Sequence, residues 1–209
     1  MLRKLIVELI GTFFLVFTVG QCVVTPGAGA FAPIAIGAAL MIMVYAGGHV
    51  SGGHFNPAVS TAVCLRGALT PANYVGYVLF QLIGASLAAA ATLYLKHHPV
   101  INTPPVPVGP AMLAEFLFTF ALCFMVLNVA TVKSVSPNSY YGLAIGSTVM
   151  VGAFSVGAIS GGAFNPAVAV GITLLGLSSI SSLWVLIVGE LLAACTAAFI
   201  FRSLKLDEC

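Results

Sequence analysis

The sequence predicts an all-α membrane protein of six transmembrane helices and two re-entrant half-helices, arranged as an inverted internal repeat. Three observations predict it. The 209 residues are 60% apolar and only 6% charged, six apolar runs are long enough to cross a bilayer, and one nine-residue box occurs twice. A soluble domain carries roughly a quarter charged residues, so twelve charged side chains (seven Lys and Arg, five Asp and Glu) cannot build a water-facing surface. Mean hydropathy is +1.14, and the lipid bilayer is the expected solvent. A net charge of +2 without basic clusters argues against nucleic acid as a partner.

The spans fall at about 4–24, 32–50, 73–95, 111–131, 140–159 and 182–202, each close to the ~20 residues a crossing needs. The first follows Arg3 and Lys4 as a signal peptide would, but it contains Glu8 and no small-residue cleavage pattern follows, so it is expected to stay attached. Segments 51–72 and 160–181 are too long for tight turns and too apolar for solvated loops. With six spans, Arg3, Lys4, Arg66, Lys133, Arg202 and Lys205 fall on the side of the amino terminus and Lys96 alone on the other. Both termini are therefore expected in the cytoplasm, in a plasma (inner) membrane. The connection 96–110, with His97, His98, Pro104, Pro105 and Pro107, reads as an extended extracellular linker whose histidines face water. Cys22, Cys64, Cys123, Cys195 and Cys209 have no metal-ligand spacing and read as packing residues. Met41 and Met43 read as packing residues too, and Trp184 as an interface residue.

The internal repeat is the strongest signal. Ser51-Gly52-Gly53-His54-Phe55-Asn56-Pro57-Ala58-Val59 returns as Ser160-Gly161-Gly162-Ala163-Phe164-Asn165-Pro166-Ala167-Val168, eight of nine positions alike and 109 residues apart. Glu8 with Thr12 is echoed by Glu115 with Thr119, and Gln81 by Glu190. The chain thus reads as one channel domain, 1–209, built from halves at about 1–95 and 111–209. Three spans per half is an odd number, so the second half must be inverted relative to the first.

Asn before Pro is a good helix start, since Asn caps and Pro at the first turn forfeits no hydrogen bond. Each box therefore opens a helix. Pro57 to Arg66 is ten residues, about 15 Å at 1.5 Å per residue and half of a ~30 Å hydrocarbon core. Two such half-helices would meet near the midplane with their positive ends opposed. The preceding Ser-Gly-Gly stretches are expected to be extended, with free carbonyls, which at membrane depth implies a watery cavity.

These paired boxes, together with Glu8, Glu115, His49, Gln81 and the six-span duplication, resemble the aquaporin and aquaglyceroporin superfamily over the whole chain. The resemblance implies a homotetramer with a pore in each subunit, no cofactor and no covalent chemistry. It implies Asn56 and Asn165 as amide donors at the midplane, and carbonyls around Gly52, Gly53, His54, Gly161, Gly162 and Ala163 as a polar track. Glu8 and Glu115 would brace the re-entrant loops through backbone N–H groups. Glu190 stands where the family usually has Pro; it reads as a structural acid satisfying a local donor, with proton relay as the alternative. Counted from the boxes, the four outer filter positions are Ile36, Ala153, Gly162 and Val168. The family generally has Arg where Val168 stands. A filter of these four is apolar and expected to be wide, and its lack of Arg is similar to a bacterial subgroup associated with arsenic resistance. The implied permeants are water, glycerol, arsenite, and methylated or other organoarsenicals. Three other functions fit less well: a water-selective aquaporin, a proton-coupled transporter using Glu190, and a structural or adhesive protein with a vestigial pore.

Overall fold

The computed structural model describes residues 1–101 and 103–206; Cys209 lies outside them. Among the described residues six long helices are apolar enough to cross a membrane: α1 (Leu2–Val23), α2 (Ala32–Ser51), α4 (Pro71–Leu95), α5 (Val108–Thr131), α6 (Tyr141–Ser160) and α8 (Leu183–Ser203). Two short ones, α3 (Pro57–Arg66) and α7 (Pro166–Leu174), follow the Asn-Pro boxes. The helix α5 begins three residues before the expected span, because Pro110 falls in its first turn, where no intrahelical N–H bond is lost. The linker is correspondingly shorter and is tied to the second half by Thr103 Oγ1 on Gly176 O, 2.8 Å, and Val106 N on Ser182 Oγ, 3.0 Å. His97 and His98 are exposed.

Within each half the first span packs on the third and second, α1 on α4 and α2, and α5 on α8 and α6. The halves are interlocked by their short helices, since α3 lies chiefly against α8 and α7 against α4. Polarity is inverted relative to a soluble protein. Ile6, Ile10 and Phe14 on α1 and Val75, Leu79 and Leu87 on α4 are exposed, whereas Glu8, Gln81, Glu115 and Glu190 are completely buried. Helix faces that meet lipid need no polar groups, while the interior polar groups must find partners there. The described cysteines are unpaired, and Cys123 is buried.

The halves also touch directly where α2 crosses α6. A Cβ on Gly37 would sit 2.7 Å from Gly146 O, and one on Gly146 would sit 2.4 Å from Gly37 O, so the backbones meet at a point where only glycine fits. Met150 and Met41 close the crossing on either side. Gly146→Val should therefore push the two helices apart, at a cost of about 1–3 kcal/mol as for other overpacked sites. The check is thermal stability in detergent, followed by size-exclusion chromatography; a midpoint equal to wild type would contradict this crossing.

Candidate pore

Each box is built in the same way. The helix α2 runs through Ser51 and stops at Gly52, φ +95°, with Gly53 at +63°; α6 runs through Ser160 and stops at Gly161, φ +95°, with Gly162 at +65°. These glycines are left-handed, not extended as the sequence suggested, because the chain must reverse within two residues to start the next helix. Phe55 and Phe164 are also left-handed, φ +48° and +49°, which costs about 1–3 kcal/mol for a residue with a Cβ. Their rings are wedged into gaps: a Cβ on Gly11 would lie 2.2 Å from Phe55 Cε1, and one on Gly152 would lie 2.7 Å from Phe164 Cε2.

The acids hold these bends. Glu8 accepts from Ser51 Oγ (2.6 Å), His54 N (3.0 Å), Phe55 N (2.7 Å) and Gln81 Nε2 (2.8 Å). Glu115 accepts from Ser160 Oγ (2.6 Å), Ala163 N (3.0 Å) and Phe164 N (2.6 Å). A carboxylate offers about four lone-pair sites, so Glu8 is saturated as an anion. The partner of Glu190, not derivable from the sequence, is the backbone N–H of Asn165 at 2.8 Å.

Beyond each bend, the Asn side chain does two things. Asn56 Oδ1 caps α3 at Ala58 N (2.8 Å), and Asn165 Oδ1 caps α7 at Ala167 N (2.9 Å). Their amide nitrogens donate across the interface between halves, Asn56 Nδ2 to Phe164 O and Asn165 Nδ2 to Phe55 O, each at 2.9 Å. An amide has two N–H bonds, so one remains on each Asn where both residues line a central cavity. Sequence reasoning missed the two Phe carbonyls. The only signal for them was that Phe is kept in both boxes, which speaks for the ring and is silent about the carbonyl.

The central cavity has a volume of about 60 Å³, room for a short file of waters. Ile36, Ala153, Gly162 and Val168 all line it, as do His54, Asn56, Gly161, Ala163 and Asn165. Gly52 does not; it borders a larger vestibule of about 580 Å³, with Lys4, His49 and Tyr77. Gly53 lines neither. The polar track in the first half therefore narrows to His54, which borders both cavities and so stands at their junction together with Val126. His54 Nδ1 is 3.1 Å from Ser60 Oγ, a hydroxyl that already accepts from Gln81 Nε2 at 3.0 Å. The Ser60 hydroxyl can donate to Nδ1 or accept from it, and the other ring nitrogen, Nε2, stands beside Gly52.

Most of the remaining lining is aliphatic and follows the repeat, with Val23, Phe164 and Ile172 lining it without a lining counterpart. Leu15 and Val19 on α1 correspond to Leu122 and Val126 on α5, Ile36 and Leu40 on α2 to Ile145 and Val149 on α6, and Val59 on α3 to Val168 on α7; all ten line the cavity. Opposed helix starts, two amide donors and a single polar seam within a largely aliphatic wall define a channel-like cavity between two inverted halves of a membrane protein.

The particular family follows from comparison with known proteins. The profile of the major intrinsic protein family matches residues 1–201. The chain is 35% identical to aquaporin NIP1-1 of Zea mays, covering 98% of this chain and 75% of that protein. It is 36% identical to glycerol uptake facilitator protein-like 6 of Lactiplantibacillus plantarum, covering 99% and 100%. The aquaglyceroporin structure from Plasmodium falciparum shares the fold, with TM-score 0.81 over 100% of this chain and 99% of that one at 20% identity. The chain belongs to the major intrinsic protein family, the aquaporins and glycerol facilitators. It is an integral membrane protein and a channel for water and small neutral solutes, and it is not an enzyme.

Proposed function

We propose that this channel passes neutral solutes larger than water, including glycerol, arsenite and methylated or other organoarsenicals, by passive diffusion through a filter formed by Ile36, Ala153, Gly162 and Val168. The observation that carries the proposal is that Val168 lines the cavity with the other three and that, among the described residues, no Lys, Arg, Asp or Glu lines it. A neutral hydroxylated solute can trade its water shell for the free N–H groups of Asn56 and Asn165 and for carbonyls around His54, Gly161, Gly162 and Ala163. A cation meets the opposed positive ends of α3 and α7. Similarity to a glycerol uptake facilitator supports the larger solutes. The reading includes a homotetramer in a plasma (inner) membrane, with both termini cytoplasmic and the linker outside; the excess of Lys and Arg on the amino-terminal side supports this orientation.

A water-only channel is the second reading, and the small volume of the central cavity, about 60 Å³, favours it. Proton coupling through Glu190 lacks a path, since this fully buried acid borders neither the central cavity nor the vestibule. The deciding experiment is light scattering by proteoliposomes challenged with gradients of water, glycerol, arsenite and a methylated arsenical. The proposal expects flux of all four, proportional to the solute gradient and indifferent to a pH gradient. Water flux alone would establish the narrower channel, and concentrative uptake would establish a transporter.

A further inference from the structure

Glu8 and Glu115 occupy matching places in the two halves, yet their surroundings differ at one point. In the first half the third span supplies an amide, Gln81, whose Nε2 donates to both Glu8 and Ser60 Oγ. In the second half the corresponding residues are Glu190 and Ala169, so both the amide donor and its second acceptor are gone. Glu115 Oε2 accordingly has one N–H donor, from Phe164, where Glu8 Oε2 has two. Glu190 Oε1 accepts from Asn165 N, while its Oε2 is buried without any N–H or hydroxyl donor. Glu115 Oε2 and Glu190 Oε1 take up consecutive backbone N–H groups, those of Phe164 and Asn165, and α8 comes close to α5 here, a Cβ on Gly189 lying 3.4 Å from Glu115 Cβ, so the two carboxyl groups are neighbours. A hydrogen bond between two carboxyl groups requires a proton on one of them. Glu115, with three donors, is the natural anion, and Glu190, with one bond accepted and one oxygen bare, is the natural acid.

We infer that Glu115 and Glu190 hold a single proton between them at neutral pH, carried on Glu190 Oε2 and donated to Glu115, so that Glu190 is a neutral positioning residue for Asn165. A protonated carboxyl has one acceptor end for Asn165 N–H and one donor end for Glu115, the same polarity that an amide offers. It differs from an amide in having one proton to place instead of two, and this suits a site where Ala169 replaces the acceptor Ser60. Apart from the partner acid, the titratable side chains facing the pair among the described residues are the thiols of Cys123 on α5 and, beyond it, Cys195 on α8. The inference concerns the protonation of the pair and stands independently of the solute range of the pore.

The test is infrared spectroscopy of the protein in lipid vesicles, joined to melting and water flux. Wild type should show the C=O stretch of a protonated carboxylic acid at neutral pH, and Glu190→Gln should lose that band while still folding and conducting. Because Gln leaves one N–H without an acceptor, this variant should melt below wild type, and adding Ala169→Ser should restore the melting point. Glu190→Leu, which serves neither Asn165 nor Glu115, should give little folded protein. Absence of the band in wild type, its persistence in Glu190→Gln, or a Glu190→Gln variant that folds as poorly as Glu190→Leu would overturn the inference.

Discussion

Glu8→Leu and Glu115→Leu should each abolish recovery of folded protein from the membrane. Glu8 receives four hydrogen bonds, two of them from backbone N–H groups of a bend that cannot form an internal ladder. Leucine fills similar space and accepts none of them. Each buried donor left without a partner costs about 1–3 kcal/mol, and both acids are fully buried. Three or four such losses reach roughly 3–12 kcal/mol on the same scale, comparable with the whole stability of a typical domain, about 5–15 kcal/mol. The left-handed backbones of Phe55 and Phe164 add to the effect, because they are held against their own preference by these N–H bonds. The measurement is the yield of monodisperse protein after detergent extraction, with wild type and Gly146→Val as references. Normal yield together with an altered solute range would instead assign the acids to selectivity and remove their bracing role.

Most of the architecture could be read in the sequence because its determinants are local or repeated. Asn56-Pro57 and Asn165-Pro166 start helices through their own side chains, and Gly67, φ +92°, ends α3 where Ala68 N reaches back to Val63 O. The duplication then supplied the inversion without any knowledge of contacts. What escaped the sequence depends on residues brought together from far apart. The bonds of Asn56 and Asn165 to Phe carbonyls join positions 108 and 110 residues apart, and nothing in either box names a backbone carbonyl as a partner. The Ser-Gly-Gly bends read as extended because glycine permits both extended and left-handed backbone; the choice is made by the Phe rings seated against Gly11 and Gly152. The bend is alike in both halves, yet Gly161 and Gly162 line the central cavity while Gly52 borders the vestibule, a difference that the matching boxes do not carry. Glu190 could be recognised as the counterpart of Gln81 from spacing alone, but its bond to Asn165 N required the fold.

Val168→Arg should exclude solutes larger than water while leaving the protein folded. Val168 is the third residue after Asn165 and the repeat counterpart of Val59, so both half-helices present an isopropyl group to the cavity at the same turn. An Arg side chain placed at 168 would extend among Ile36, Ala153 and Gly162, occupying part of a cavity of only about 60 Å³. Its guanidinium could find acceptors in the carbonyls of the Gly161–Ala163 bend, which keeps the cost of the charge moderate and fixes the group as a rigid N–H donor. Water is small enough to pass beside it and can accept from it. Glycerol and methylated arsenicals must displace it or thread past it, and an added barrier of about 1.4 kcal/mol already slows passage tenfold. The expected result in proteoliposomes is therefore a drop of roughly tenfold or more for the larger solutes, with water flux reduced much less. Proton leak should not rise, because the guanidinium adds positive charge to the field of α3 and α7. Val168→Leu separates the two contributions, since it narrows the ring without adding donors or charge: equal selectivity in Leu and Arg variants would make size the whole mechanism. If Val168→Arg retains the wild-type flux of glycerol and arsenicals, residue 168 does not set the filter, and the next place to test is the His54 and Val126 junction between the two cavities.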